Sequence, residues 1–296
     1  MDGQAAAPGA GTVLNALATG TGSAFALDVE TSATVELAFG GDGVTGEIAG
    51  EPDADTALIE RCVELALERW GPSAGLDTSV SETVTVGASV RTESDVPTAA
   101  GLKSSSAAAN ATMLATVDAL DARDQVEPIE ACRLGVEAAR DVGVTVTGAF
   151  DDASASMFGG VTVTDNREDA LLVREEFDHE ALVWIPPERA YSADADAERC
   201  GLVAPIAKLV EELALDGAYG RAMTVNGLAF SAALGFSADP AVEAMPHVDG
   251  VSLSGTGPSI VAIGDAAGLD IVEEQWRERP GETLRTTTRN DGGGYL

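Results

Sequence analysis

Lysine is nearly absent from this chain. Lys103 and Lys208 are the only two, and Lys103 stands in the run Pro97-Thr98-Ala99-Ala100-Gly101-Leu102-Lys103-Ser104-Ser105-Ser106-Ala107. A loop of small residues that ends in serines and opens a helix suits phosphate. The first turn of a helix presents unpaired N–H donors and the positive end of the helix dipole. Small residues let those donors reach a ligand, and serine hydroxyls can contact phosphate oxygens or a magnesium ion. Lys103 adds a full positive charge. The run is not a Walker A loop, which needs glycine directly before the lysine, where this chain has Leu102. Taken alone, it reads equally well as a serine-capped helix after an ordinary loop.

A second constellation is Gly148-Ala149-Phe150-Asp151-Asp152-Ala153-Ser154, followed by Phe158-Gly159-Gly160. Adjacent carboxylates can orient or deprotonate a hydroxyl. One of them can also do no more than cap a short helix starting at Ala153. The glycine-rich stretch Gly255-Thr256-Gly257-Pro258-Ser259 is, by itself, a hairpin turn. His179 and His247 fall outside every motif, so the sequence argues for neither a Ser-His-Asp triad nor a histidine metal site. Cys62, Cys132 and Cys200 are odd in number and far apart. They suggest neither a disulfide framework nor a zinc site, and Cys62 and Cys132 read as small buried hydrophobes.

The elements around these residues place them at strand–loop–helix junctions. Val84, Val86, Ala88 and Val90 alternate with Thr83, Thr85 and Ser89 as in a strand with one buried face. A loop from Thr92 to Lys103 follows, then a helix with an apolar stripe at Ala107, Met113, Leu114, Val117 and Leu120. Helices are also expected from about Asp55 to Trp70 and from Pro128 to about Arg140. The segment Ala5 to Ala26, rich in Gly, Ala and Thr, is one that lets backbone approach a ligand closely. Past Gly159-Gly160 the order changes. Short strands at Val161 to Thr164, Leu171 to Phe177 and Ala181 to Ile185 precede helices at Pro205 to Leu215 and about Tyr219 to Leu234. A strand-turn-strand around Gly255, a helix near Gly268 to Arg279 and a strand at Thr283 to Arg289 close the chain. The change of order suggests two domains, residues 1–160 and 161–296, that share an interface.

Composition narrows the function. The 296 residues can bury a full core. They carry 49 acidic against 17 basic side chains, a net charge of -32. Such a chain would repel a nucleic acid backbone. It would also repel itself unless salt screens it, which near 1 M brings the Debye length to roughly 3 Å. The surface therefore reads as adapted to a salt-rich cytoplasm. No basic residue precedes Arg61, so no signal-peptide n-region is expected, and the apolar stretch around Leu228 to Phe236 is too short to span a membrane. A soluble cytoplasmic protein with neither nucleic acid nor membrane partner is the expectation.

The run from Pro97 to Ala107 resembles the second motif of the GHMP kinases, small-molecule kinases that include galactokinase, homoserine kinase and mevalonate kinase. Pro8-Gly9-Ala10-Gly11-Thr12-Val13-Leu14-Asn15 resembles their first motif, near the substrate, and Gly255 to Ser259 their third, beside the nucleotide loop. The three fall in the family's order across most of the chain. The stretch around Asp151 is similar to one in mevalonate kinases whose aspartate is the catalytic base. The resemblance implies an α+β, two-layer GHMP fold with an N-terminal ribosomal-protein-S5-like domain and a C-terminal ferredoxin-like domain. It implies ATP and Mg2+ as cofactors, with Pro97 to Ala107, Gly255 and Gly257 binding ATP, and Lys103 and Asp151 catalytic. Asn15 and Asp152 would lie at the substrate. Ser105 and Ser106, with Glu137 as the nearest counterpart of a helix glutamate, would hold the metal. Lys103 after Gly-Leu departs from most of the superfamily. GLKSSSA together with VTVTGAFDDA resembles the archaeal shikimate kinases, which makes shikimate the implied phosphate acceptor and fits the acidic composition expected of a haloarchaeon. Homoserine or mevalonate kinase activity, or a non-catalytic ligand sensor on the same fold, are the competing readings.

Overall fold

The computed structural model describes residues 1–39, 41, 43–74, 86–145, 149–190 and 195–296; Thr83, Val84, Thr85, Val146, Thr147 and Gly148 of the stretches above lie outside them. The chain opens with two long strands, β1 (Asp2–Leu14) and β2 (Thr21–Phe39), followed by β3 (Val44–Ile48), α1 (Ala57–Trp70), β4 (Val86–Ser94), α2 (Ser104–Ala119), α3 (Pro128–Asp141) and α4 (Phe150–Phe158). Then come β5 (Val161–Asp165), β6 (Ala170–Glu175), β7 (Glu180–Ile185), α5 (Ala197–Gly201), α6 (Ala204–Leu215) and α7 (Tyr219–Leu234). The last elements are α8 (Asp239–Ala244), β8 (Gly250–Leu253), β9 (Ile260–Gly264), α9 (Ala266–Trp276), β10 (Glu282–Thr287) and β11 (Gly294–Tyr295).

β2 organises the first sheet. It runs antiparallel to β1 from Asp2↔Glu36 to Leu14↔Ser23. On its other edge the stretch Thr31–Phe39 pairs with β4, while Thr21–Phe25 pairs with β5. One strand thus serves two neighbours end to end, and the sheet has seven strands, with β6 extending β5 and β11 returning to β1. The second sheet has four strands in the order β10-β7-β9-β8. β5 and β6, which follow Gly160, still belong to the first sheet, and the change of sheet falls between β6 and β7. The reason is the overhang of β2 past β4, which offers β5 an unpaired edge.

The alanine- and glycine-rich start of the chain folds as strand, although such residues have little β propensity. Tertiary packing overrides propensity here. Ala5 and Ala7 of β1 share a core cluster with Ala109, Ala111 and Ala115 of α2, so small side chains on both elements let helix and sheet approach closely. α1, α2 and α3 cover this part of the sheet, with Ile59, Val63, Met113, Val117 and Val136 buried in the same cluster. A second cluster joins Val13, Leu14 and Phe25 of the first sheet to Leu182, Phe230 and Ile260 of the second half. Both halves thus share one core where β1 ends and β2 begins. Cys62, Cys132 and Cys200 are free and buried. Among the described residues no helix is long and apolar enough to cross a membrane.

The arginines are largely committed to acidic partners, such as Arg61 to Asp141 at 2.9 Å and Arg289 to Glu30 at 2.6 Å, and they leave most of the carboxylates without a cation. Self-repulsion of this surface should govern folding. In circular dichroism, helicity should rise from dilute buffer to about 1–3 M KCl, where the Debye length is near 3 Å or below. Full helicity in dilute buffer would show that the acidic surface is no adaptation to salt.

Candidate active site

The chain leaves β4 at Ser94 and reaches α2 through the loop that holds the lysine run. Lys103 is the N-cap residue, left-handed at φ 66° and ψ 32°, and no side chain caps the first turn. The serine-cap alternative does not form, because the three serines lie inside the helix. The first helical bond runs from the Ala107 N–H to the Lys103 carbonyl at 3.0 Å, so the N–H groups of Ser104, Ser105 and Ser106 precede the ladder. Ser105 is exposed; Ser104 and Ser106 are half-buried.

Two contacts shape the loop. The Ala10 N–H of β1 donates to the Leu102 carbonyl at 3.1 Å, and the Ser254 hydroxyl donates to the Gly101 carbonyl at 2.8 Å. Gly101 sits at φ +79°, where a Cβ would stand 2.3 Å from the Ser254 carbonyl oxygen, so glycine is required. Leu102 is fully buried and anchors the turn, with Ala100 and Ala107 buried beside it. Pro97 is half-buried, Thr98 is exposed, and the Ala99 carbonyl accepts from the Ala190 N–H at 3.3 Å.

The first and third glycine-rich stretches meet at this loop. The Gly255 N–H donates to Thr12 Oγ1 at 2.8 Å, and Asn15 Nδ2 donates to the Gly255 carbonyl at 2.8 Å. Asn15 Oδ1 accepts from the Leu17 N–H, and the Asn15 N–H donates to Asn226 Oδ1 at 2.9 Å. The Asn15 carboxamide, expected at the substrate, is engaged at both ends: its nitrogen by Gly255 in the β8–β9 turn and its oxygen by the nearby Leu17 N–H. The Lys103 side chain lies beside Gly255, and Gly257 lies against the Phe236 ring.

The two aspartates occupy the first turn of α4. That helix begins at Phe150 after a left-handed Ala149, so neither aspartate caps a helix starting at Ala153. Asp152 pairs with Lys103, Nζ to Oδ1 2.6 Å, with only 6% and 16% of the two side chains exposed. The pair bridges the heads of α2 and α4. Asp151, 5% exposed, lies flat on β2 at Gly22, where a Cβ would stand 2.5 Å from its Cγ. Asn166 Nδ2 donates to Asp151 Oδ1 at 2.7 Å. Burial, and then the Asp152 charge, push Asp151 up to about 7 against the opposing pull of Lys103 and Asn166.

Glu137 is not brought to this cluster. It is exposed on α3, in a depression it shares with Arg69 and Trp70 of α1. Among the described residues no three His, Cys, Asp or Glu side chains converge as a metal cage. The sequence reading missed Asn226, Ser254 and Asn166, and held Thr12 only as a member of the first motif. Asn226 had a signal, a polar residue among the buried positions of α7. Asn166, in a short polar turn, had none.

The raised Asp151 fixes a stability signature. Its folded value near 7 lies above the ordinary 3.8, so the folded protein keeps a proton that the unfolded chain has released. Stability therefore falls as pH rises from about 4 to about 7 and stays lowered above that. Asp151→Asn keeps the shape and removes the charge. Its Tm at pH 8 and fixed salt should exceed that of the unsubstituted protein by a few degrees, with the gap closing toward pH 4. A Tm equal or lower at pH 8 would contradict a buried charge at this position.

Comparison with known proteins places this geometry. Residues 57–160 match the family described as GHMP kinases N terminal domain. A shikimate kinase of Halobacterium salinarum is 61% identical over 292 residues, covering 99% of each chain. One of Methanocella arvoryzae is 48% identical over 299 residues, covering 100% of this chain and 97% of its own. The crystal structure of homoserine kinase from Cytophaga hutchinsonii superposes with a TM-score of 0.72 at 16% identity, covering 100% of this chain and 97% of that one, a likeness of fold. At these identities over nearly the whole length, the chain belongs to the archaeal shikimate kinases of the GHMP kinase family.

Proposed function

We propose that the protein transfers the γ-phosphoryl group of ATP to shikimate, giving shikimate 3-phosphate, with Asp151 as base and Lys103 as phosphate ligand. One observation carries the residue roles: the Lys103–Asp152 ion pair ties the open first turn of α2 to the buried carboxylate of Asp151. The acceptor comes from the shikimate kinases to which the chain is similar.

Bound ATP supplies the phosphoryl group, and a magnesium ion neutralises the charge of its phosphates. The donor set suits a magnesium ion that arrives on the nucleotide. Magnesium keeps several waters and takes one or two protein oxygens plus phosphate, and the Ser105 and Ser106 hydroxyls offer such oxygens where a carboxylate cage is lacking among the described residues. Glu137 has no part in this proposal. The N–H groups of Ser104 to Ser106 and Lys103 Nζ cradle phosphate oxygens, with Lys103 shared between Asp152 and the ligand. Gly255 and Gly257 wall the loop from the other side. Asp151 accepts the proton of the attacking hydroxyl, which requires its ionised form. Asp152 is already engaged by Lys103, so its role is to hold the ammonium rather than to take that proton. A sensor that only binds has no need of a buried carboxylate at the site.

The direct test incubates the purified protein in molar KCl with ATP, magnesium and, in turn, shikimate, homoserine and mevalonate. ADP release should depend on shikimate; release with homoserine or mevalonate alone would transfer the assignment to that alcohol, and release with none would support a sensor. Within this reading, Asp151→Asn should keep ATP binding nearly intact and lower turnover by roughly 10²-fold or more, the usual scale for a lost general base. Turnover within about twofold of the unsubstituted enzyme would remove Asp151 from the base role.

Lys103→Ala should weaken ATP or the transition state by roughly 1.5–3 kcal/mol, the range of a charged hydrogen bond. It should also raise Asp151 further, because a compensating positive charge is gone, so the acidic limb of kcat/KM moves to higher pH. Arginine should rescue poorly, since a planar fork differs from a compact ammonium. Unchanged ATP kinetics in the alanine variant would relegate Lys103 to a structural role.

A further inference from the structure

Asn166 lies in the turn between β5 and β6, outside all three motifs, and is 3% exposed. Its carboxamide can be oriented only one way. The Asp151 N–H can only donate, and it meets Asn166 Oδ1 at 3.1 Å. That same oxygen accepts from the Thr164 hydroxyl at 2.8 Å. The amide nitrogen is therefore the end that faces the Asp151 carboxylate, 2.7 Å from Oδ1. The residue is held from behind as well. Its N–H donates to the Gly20 carbonyl at 2.9 Å, and Arg140 Nη2 reaches its carbonyl at 3.4 Å while pairing with Asp169.

We infer that Asn166 is the positioning residue of the reaction: it grips Asp151 through both backbone N–H and carboxylate, and so fixes the orientation in which that carboxylate meets the acceptor hydroxyl. The inference rests on the reading of Asp151 as base. Asn166 holds Oδ1, and Oδ2 lies with Cγ and Cβ against Gly22 of β2, so the turn and the strand together fix the plane of the carboxylate. The grip also favours the charged form, because a hydrogen bond donated to a carboxylate stabilises it. The charged groups that face Asp151 are Asp152 on its own helix and Lys103 at the head of α2. From β2 it meets Gly22, and from the β5–β6 turn the neutral Asn166. Arg140 of α3 meets the Asn166 carbonyl, and the flanking Asp165 and Arg167 pair with each other at 2.8 Å.

The test follows Asp151 itself. The full-length protein, labelled with 13C at aspartate carboxyls, is titrated by NMR in molar KCl, with the Asp151 signal assigned by its loss in Asp151→Asn. In Asn166→Ala the Asp151 midpoint should rise by roughly one to two pH units, the worth of one charged hydrogen bond. In Asn166→Asp a like charge replaces the donor, and the rise should be larger. The acidic limb of kcat/KM for shikimate should move with the midpoint, while KM for ATP changes by less than about threefold, because no phosphate ligand is touched. Thr164→Val keeps the strand side chain's shape, deletes the hydroxyl that steadies Asn166, and should give a smaller rise of the same sign. An unmoved Asp151 midpoint in folded Asn166→Ala or Thr164→Val would overturn the inference. So would a loss of kcat uniform across pH. If Asp151→Asn turned over like the unsubstituted enzyme, the base assignment would fall separately, and the NMR midpoint would still decide whether Asn166 controls this carboxylate.

Discussion

Two carboxylates in one helical turn repel each other, and burial strengthens the repulsion by removing solvent screening. Asp151 and Asp152 bear that cost together at the start of α4. Three arrangements offset it. The positive end of the α4 dipole faces both groups. The single ammonium of Lys103 closes on Asp152 at 2.6 Å. Asn166 donates to Asp151 at 2.7 Å. None of the three removes the penalty on Asp151, and that residual is what a base near neutral pH needs.

Much of the fold can be read as the scaffold for this cluster. The loop that carries Lys103 to α4 turns at Gly101, where the Ser254 carbonyl stands in the place a side chain would take. Ser254 in turn is placed by the β8–β9 turn, which Thr12 and Asn15 fasten to the end of β1. β2 contributes the floor at Gly22 and, through its direct pairing with β5, the register Gly22↔Thr164 that delivers Asn166. The three glycine-rich stretches are thus coupled through backbone groups, so a change in any one shifts the ammonium relative to the carboxylates.

The sequence was most legible where side chains have a period. The one-sided apolar faces of α1 and α3 mark those helices, and Pro128 marks the start of α3. β1 was opaque because Ala5, Ala7 and Ala10 pack close to helices, and a strand built on small residues shows no alternation of hydrophobicity. The shikimate kinase family was legible from GLKSSSA and the Asp151 stretch, since those residues sit where backbone conformation and charge leave little freedom. Partnerships across the fold were not. Nothing local announces that Lys103 faces Asp152, that Asn15 is engaged by Gly255, or that Asn166 grips Asp151, because each depends on strand register. Glu137 shows the converse: a glutamate chosen by proximity in sequence lies with Arg69 and Trp70 on the outer side of α3.

The most direct measurement of the account is a crystal structure grown in molar KCl with shikimate, magnesium and a non-hydrolysable ATP analogue. The account predicts the 3-hydroxyl of shikimate within hydrogen-bond reach of Asp151, about 2.6–3.2 Å, with Lys103 Nζ drawn from Asp152 toward the phosphates over the first turn of α2. A shikimate hydroxyl directed at another group, or phosphates bound away from Ser104 to Ser106, would contradict it.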